Sequence, residues 1–175
     1  MTPTLTPDEL ASTAPERPAL EAFLEQYRGI VVRKAAGLSD ADAGRRLVGS
    51  VTTVGGLVKH LRQVEFDWFH TVLAQRPESE LPLAPLPDDP PDVEFLMAPG
   101  DTLAGLLADY ETACAHSRRI AAEFSLDETV PHRRLGRVSL RWIYIHLIEE
   151  TSRHAGHIDI LRELIDGRTG FDDLD

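Results

Sequence analysis

Apolar residues return at intervals of three and four along four separate stretches of this chain, the spacing of one buried helix face. Ala19, Leu20, Phe23, Leu24, Tyr27, Ile30 and Val31 mark the first. It starts near Pro18, a residue type tolerated in a first helical turn, and ends around Gly37. The second opens at Thr52 or Thr53, either one a good N-cap, and runs through Leu57, His60, Leu61, Val64, Phe66, Trp68 and Leu73 to about Ala74. The third opens at Asp101 or Thr102, carries Leu103, Leu106, Leu107, Tyr110, Cys114 and Ile120, and ends near Phe124. The fourth is capped by Ser139 and runs from Leu140 to Ile165, with Gly167 as its C-terminal stop. Between the first two, Leu38 to Ala43 reads as a turn and a short helical piece capped by Ser39 or Asp40. Gly55 and Gly56 fall in the first turns of the second helix, where they cost helix propensity. Their compensation would be close approach of another backbone or of a ligand.

Residues 76–100 break the pattern. Pro77, Pro82, Pro85, Pro87, Pro90, Pro91 and Pro99 all fall here, out of 12 prolines in the chain. A connection this long is functional or mobile more often than it is a simple turn. It is expected to cross over the bundle near the mouth of a pocket. Residues 1–15, rich in Thr, Pro and Ser, are expected to form a flexible arm, and residues 168–175 an acidic tail. The expected architecture is therefore all-α: a four-helix bundle over residues 16–167 with a long crossover loop between helices 2 and 3. A short strand at Arg137 to Leu140 is given little weight.

A length of 175 residues fits one domain with a proper core. With 42% hydrophobic and 27% charged residues the composition is that of an ordinary globular protein. No apolar run approaches the roughly 20 residues that span a bilayer. Met1 to Asp8 has neither the basic start nor the apolar run of a secretory signal, and a cytoplasmic location is expected. The single cysteine, Cys114, suits a reducing compartment and reads as a small core residue. A formal charge of −11 argues against nucleic acid and anionic membranes as partners. The tightest basic group, His132 to Arg137, reads as a solvated loop, with a small-anion site as the alternative.

The candidate chemistry lies on the fourth helix. His146, Glu150 and His154 are spaced by four, and His157 follows three further on. At about 100° per residue all four side chains fall in a sector of roughly 80°. Imidazole nitrogen and carboxylate oxygen suit Zn²⁺, Ni²⁺, Fe²⁺ or Mn²⁺, and an i,i+4 pair on a rigid helix brings two ligands to one ion. One helix cannot close such a site. His60, with Leu57, Leu61 and Val64 on its face, is the best third ligand; His70, His116 and His132 lie near helix ends or in a loop. Taken singly, His60 on an apolar face reads more readily as a hydrogen-bonded core histidine than as a ligand. Glu150 with His154 reads equally as a helix-stabilising pair worth a few tenths of a kcal/mol.

Two segments resemble the DinB superfamily of small bacterial four-helix metalloproteins. Gly56 to Phe69, with His60 followed by Glu65 and an aromatic pair, is similar to the family's second-helix histidine segment. Glu150 to Arg162, with His154, Gly156 and a later Leu161-Arg162, is similar to its C-terminal ligand segment. The likeness runs from about residue 17 to 166. The commoner family pattern has three histidines, and Glu150 stands where the middle one would be. A His-Glu-His set is similar to that of the mycothiol-dependent maleylpyruvate isomerase branch. The resemblance implies His60, Glu150 and His154 as ligands of a divalent metal, zinc foremost, with mycothiol as a thiol cosubstrate and a homodimer as the assembly. It implies a metal-dependent S-transferase or isomerase acting on a small electrophile. From its place on the ligand face one turn further along, His157 is the candidate catalytic proton shuttle, with a solvent-facing helix residue as the alternative. Arg153 is the candidate to hold an anionic group of the cofactor or substrate, with a pair to Glu149 as the alternative. A metal-dependent hydrolase and a non-catalytic metal- or small-ligand-binding stress protein are the alternatives.

Overall fold

The computed structural model describes residues 5–84, 86 and 92–169. Its helices are α1 (Pro7–Leu10), α2 (Glu16–Ala35), α3 (Asp40–Ala43), α4 (Val54–Glu65), α5 (Leu103–Ala121) and α6 (Leu140–Asp166). Three of the four long helices begin where a short polar side chain takes an orphan backbone N–H, while α2 starts after Pro15 without such a cap. Thr53 accepts from Gly56 N, Thr102 from Gly105 N and Ser139 from Trp142 N. The short α3 is closed in the same way by Ser39, which accepts from Asp42 N. At the far end of α6, Gly167 adopts φ 78°, a left-handed conformation that glycine enters without a Cβ penalty.

Four long helices make the all-α bundle that the periodicity predicts. α2 lies along α6, α4 packs on both α5 and α6, and α2 meets α5 only sparsely. Two apolar clusters fill the interior. One gathers Val31, Leu57, Leu61, Leu106, Tyr110 and Ile158. The other gathers Leu24, Phe69, Leu73, Ile120, Ile143 and Leu147. Each such side chain removed from water contributes about 1.5–3 kcal/mol. Cys114 is buried at 3% exposure, as expected of a core residue, and burial pushes its thiol pKa up. No described helix is long and apolar enough to cross a membrane.

Three features depart from the sequence reading. The second helix does not stay α-helical to Ala74: Phe66–Leu73 is a π-helix, with Ala74 N donating to Phe69 O at 3.0 Å, an i→i+5 bond. The wider turn brings Phe66, Phe69, His70 and Leu73 into the core together. The basic cluster is not a plain loop. It is the turn of an antiparallel hairpin, β1 (Thr129–His132) with β2 (Gly136–Ser139), in register Val130 to Val138. His132 Nδ1 accepts from Arg134 N and Leu135 N and so braces that turn. Lastly, Pro7–Leu10 in the N-terminal arm forms one helical turn, where Thr6 N donates to Glu9 Oε2 at 2.8 Å. Residues 1–4 of that arm, residues 85 and 87–91 of the crossover, and residues 170–175 of the acidic tail lie outside the described residues.

Candidate metal centre

α4 and α6 pack against each other, and on their seam lies the one group of three metal-ligating side chains found among the described residues. Thr53 fixes the start of α4, which places His60 two turns in, facing α6. On α6 the spacing of four puts Glu150 and His154 on the facing side. The side chains of His60, Glu150 and His154 are 12%, 18% and 11% exposed. His60 Nε2 lies 3.2 Å from Glu150 Oε1, and His154 Nε2 lies 3.1 Å from the same oxygen. One ligand atom from each residue falls within 4.8 Å of the others, and the two imidazole rings meet edge to face.

The outer edges of both rings are tied as well. His60 Nδ1 is 2.9 Å from Glu94 Oε2, and His154 Nδ1 is 3.3 Å from His157 Nδ1. Phe95 stacks on the His60 ring at 4.6 Å between centroids and supplies an apolar wall. Burial works to raise the Glu150 pKa, but the hydrogen bond from His60 and the charge and hydrogen bond of His154 outweigh it. The carboxyl is held below its ordinary value. Burial first, and the neighbouring His60 second, push His154 below its ordinary value, so it favours the neutral imidazole that binds metals.

This donor set fits a divalent cation. A carboxylate oxygen can only accept, so in the absence of an ion each contact to Glu150 needs a proton on a ring Nε2. A cation between the three atoms replaces both protons and neutralises the carboxylate.

The remaining sequence candidates divide. His157 is exposed but touches His154 through the ring contact above. Arg153 lies on the solvent rim, 57% exposed, and its guanidinium bonds Glu149. His146 does not join the cluster: it packs against Trp68 at 4.6 Å and Trp142 at 5.0 Å between centroids. His70 and His116 pair with each other at 3.0 Å, and His132 stacks on Trp68.

Glu94 is the site residue that helical periodicity does not reveal, because it sits in the proline-rich crossover. The one sequence signal bearing on it is the pair Gly55-Gly56. A Cβ at Gly56 would lie 1.8 Å from Phe95 O, and one at Gly55 would lie 2.4 Å from Met97 Sδ. The crossover backbone therefore presses on α4 where only glycine admits it. Thr53 Oγ1 donates to Phe95 O at 3.2 Å, and Lys59 Nζ bonds Leu96 O and Asp101 Oδ2, each at 3.2 Å. Segment 94–97 is pinned over the His60 face by these contacts.

A search against curated proteins finds no match. A sequence profile described as Mycothiol-S-transferase matches residues 19–167, a span that takes in the four long helices apart from the first three residues of α2, and every residue of the cluster. The extent of that match and the DinB-like bundle beneath it agree: the chain belongs to the mycothiol-S-transferase family, whose members carry out thiol-based transfer on small molecules.

Proposed function

We propose that this chain is a divalent-metal-dependent S-transferase that joins a low-molecular-weight thiol, mycothiol in the first instance, to a small electrophile. His60, Glu150 and His154 hold the ion, with zinc the metal best matched to two imidazoles and one carboxylate. The observation that carries this reading is the convergence of two imidazole Nε2 atoms, at 3.2 and 3.1 Å, on a single oxygen of Glu150. Held by these three residues, a divalent ion would supply Lewis-acid chemistry that lowers the pKa of a nearby thiol or water.

The chain's own residues supply the rest. Glu150 would offset one of the cation's two charges. Phe95 keeps water from one face of the site, which strengthens every electrostatic interaction inside it. His157, exposed yet in contact with His154, is the base assigned to take the thiol proton. Sulfur then forms its bond to the electrophilic carbon, and the leaving group departs with the bonding electron pair. Arg153 is the rim cation assigned to an anionic group of the cosubstrate, where a ligand would compete with Glu149.

The test is conjugation of mycothiol to monochlorobimane by the zinc-loaded protein. Thiol-dependent product that disappears in His154→Ala is expected. Stoichiometric metal with no conjugate across mycothiol, bacillithiol and simple thiols would contradict the transferase reading.

A further inference from the structure

We propose that Glu94, delivered by the crossover segment, is the positioning residue for His60: it accepts the Nδ1 proton and so presents a bare Nε2 to the metal position. This deepens the metal reading above and rests on it. A histidine ligates through one ring nitrogen, and which one is set by the hydrogen bond that the other makes. Glu94 Oε2 lies 2.9 Å from Nδ1, on the edge of the ring opposite Glu150. That placement excludes Glu94 as a ligand of the same ion, since Nε2 alone points at Glu150 Oε1 and His154.

A contact from a half-exposed glutamate would ordinarily mean little, because a long side chain pays entropy to hold one geometry. Here the backbone bears that cost. Phe95 rests on Gly56 so closely that a methyl group cannot intervene, and Thr53 and Lys59 hold Phe95 O and Leu96 O. Phe95, next in sequence, stacks on the same imidazole. Glu94 is thus fixed from its backbone, and both the edge and the face of His60 are held by adjacent residues of one pinned segment. Among the described residues, the outer Nδ1 of His154 meets His157 and no carboxylate. His60 is therefore the ligand whose orientation depends on the crossover.

The experiment uses the full chain, stripped of metal, with the zinc dissociation constant measured by chelator competition. It is paired with nuclear magnetic resonance of the imidazole N–H protons in the zinc-loaded protein. Glu94→Ala is expected to weaken zinc by about 10–100-fold, with an unchanged circular dichroism spectrum. The slowly exchanging His60 Nδ1–H signal of the wild type should vanish in this variant. Glu94→Gln keeps an acceptor oxygen and is expected to restore the signal and most of the affinity. Unchanged zinc affinity in Glu94→Ala, or a Glu94→Gln as weak as Glu94→Ala, would overturn the role of Glu94 while leaving the metal centre standing. Absence of zinc binding in the wild type would instead remove the metal reading itself.

Discussion

Around Arg28 every charge has its opposite in place; around Glu150 it does not. Arg28 reaches Glu65 through Nε at 2.8 Å and Nη2 at 2.5 Å, and Glu25 through Nη1 at 2.7 Å. Arg118 then closes on Glu25 with two bonds of 2.8 and 2.7 Å across the sparse α2–α5 seam. This cluster is fork-on-fork, charge-matched and complete, the condition under which a buried ion pair persists. On the α4–α6 seam, two imidazole nitrogens meet a single carboxylate oxygen, and their outer edges are occupied by Glu94 and His157. There the acceptors outnumber the protons that neutral rings can bring. What separates a structural polar cluster from a functional one is whether its donors and acceptors balance without a ligand.

Mutations can break that contrast from either side. The largest effect is expected at the ligands: His60→Ala or His154→Ala should weaken zinc by on the order of 10³-fold, because two ligands cannot hold the ion that three can. Thiol conjugation should fall with it, while the melting temperature of the metal-free protein changes little. The opposite pattern is expected at the balanced cluster. Glu65→Ala leaves the Arg28 guanidinium buried without its main partner and should cost about 3–5 kcal/mol in denaturant unfolding. The fraction that stays folded should bind zinc as the wild type does. Gly56→Ala comes next. The added Cβ would meet Phe95 O at 1.8 Å and force segment 94–97 off α4. Its overpacking is expected to cost about 1–3 kcal/mol, and zinc titration should shift in the same direction as for Glu94→Ala. Glu150→His is milder: an imidazole can take the carboxylate's place, so zinc should still bind, within about a factor of ten.

The smallest effect concerns the third histidine pair. Arg119 donates to His116 Nδ1, His116 Nε2 to His70 Nδ1 at 3.0 Å, and His70 Nε2 to Pro77 O at 2.8 Å. This chain of bonds requires both rings neutral. Burial, then the neighbouring His70, push His116 below its ordinary value of 6.5. A depressed folded pKa means that the contribution is fully present above pH 6.5 and is lost as pH falls through the folded value. Melting temperature should therefore drop modestly between pH 7 and 5, and His116→Gln should flatten that slope.

The helices were legible because their signals are local. Ser39, Thr53, Thr102, Ser139 and Gly167 cap or stop helices through bonds within a few residues of themselves. The grouping of His60 with Glu150 and His154 was legible only from helix phase together with the family resemblance, since phase alone also put His146 on the face, where it packs on Trp68 and Trp142 instead. The π-helix at Phe66–Leu73 was not, since over eight residues its spacing of apolar side chains is close to that of an α-helix. Of the hairpin at 129–139 only the second strand was signalled, and faintly, by Arg137 to Leu140; its strands are four residues each and its turn carries arginines that read as solvated loop. Glu94 escaped because no periodicity exists in the crossover. Gly55-Gly56 announced that something would approach α4 closely but could not name Phe95 and Met97 as what does. The Arg28–Glu65 pair was hidden for a similar reason: residue type alone does not distinguish a buried arginine from a surface one.

The most direct test of the metal centre is a zinc titration of the metal-stripped protein with calorimetric readout of stoichiometry, run in parallel on His60→Ala, Glu150→Ala and His154→Ala. One ion per chain in the wild type, lost or severely weakened in all three variants, is the expected result. No saturable binding in the wild type, or wild-type affinity in any of the three variants, would contradict the assignment of His60, Glu150 and His154 to a single site.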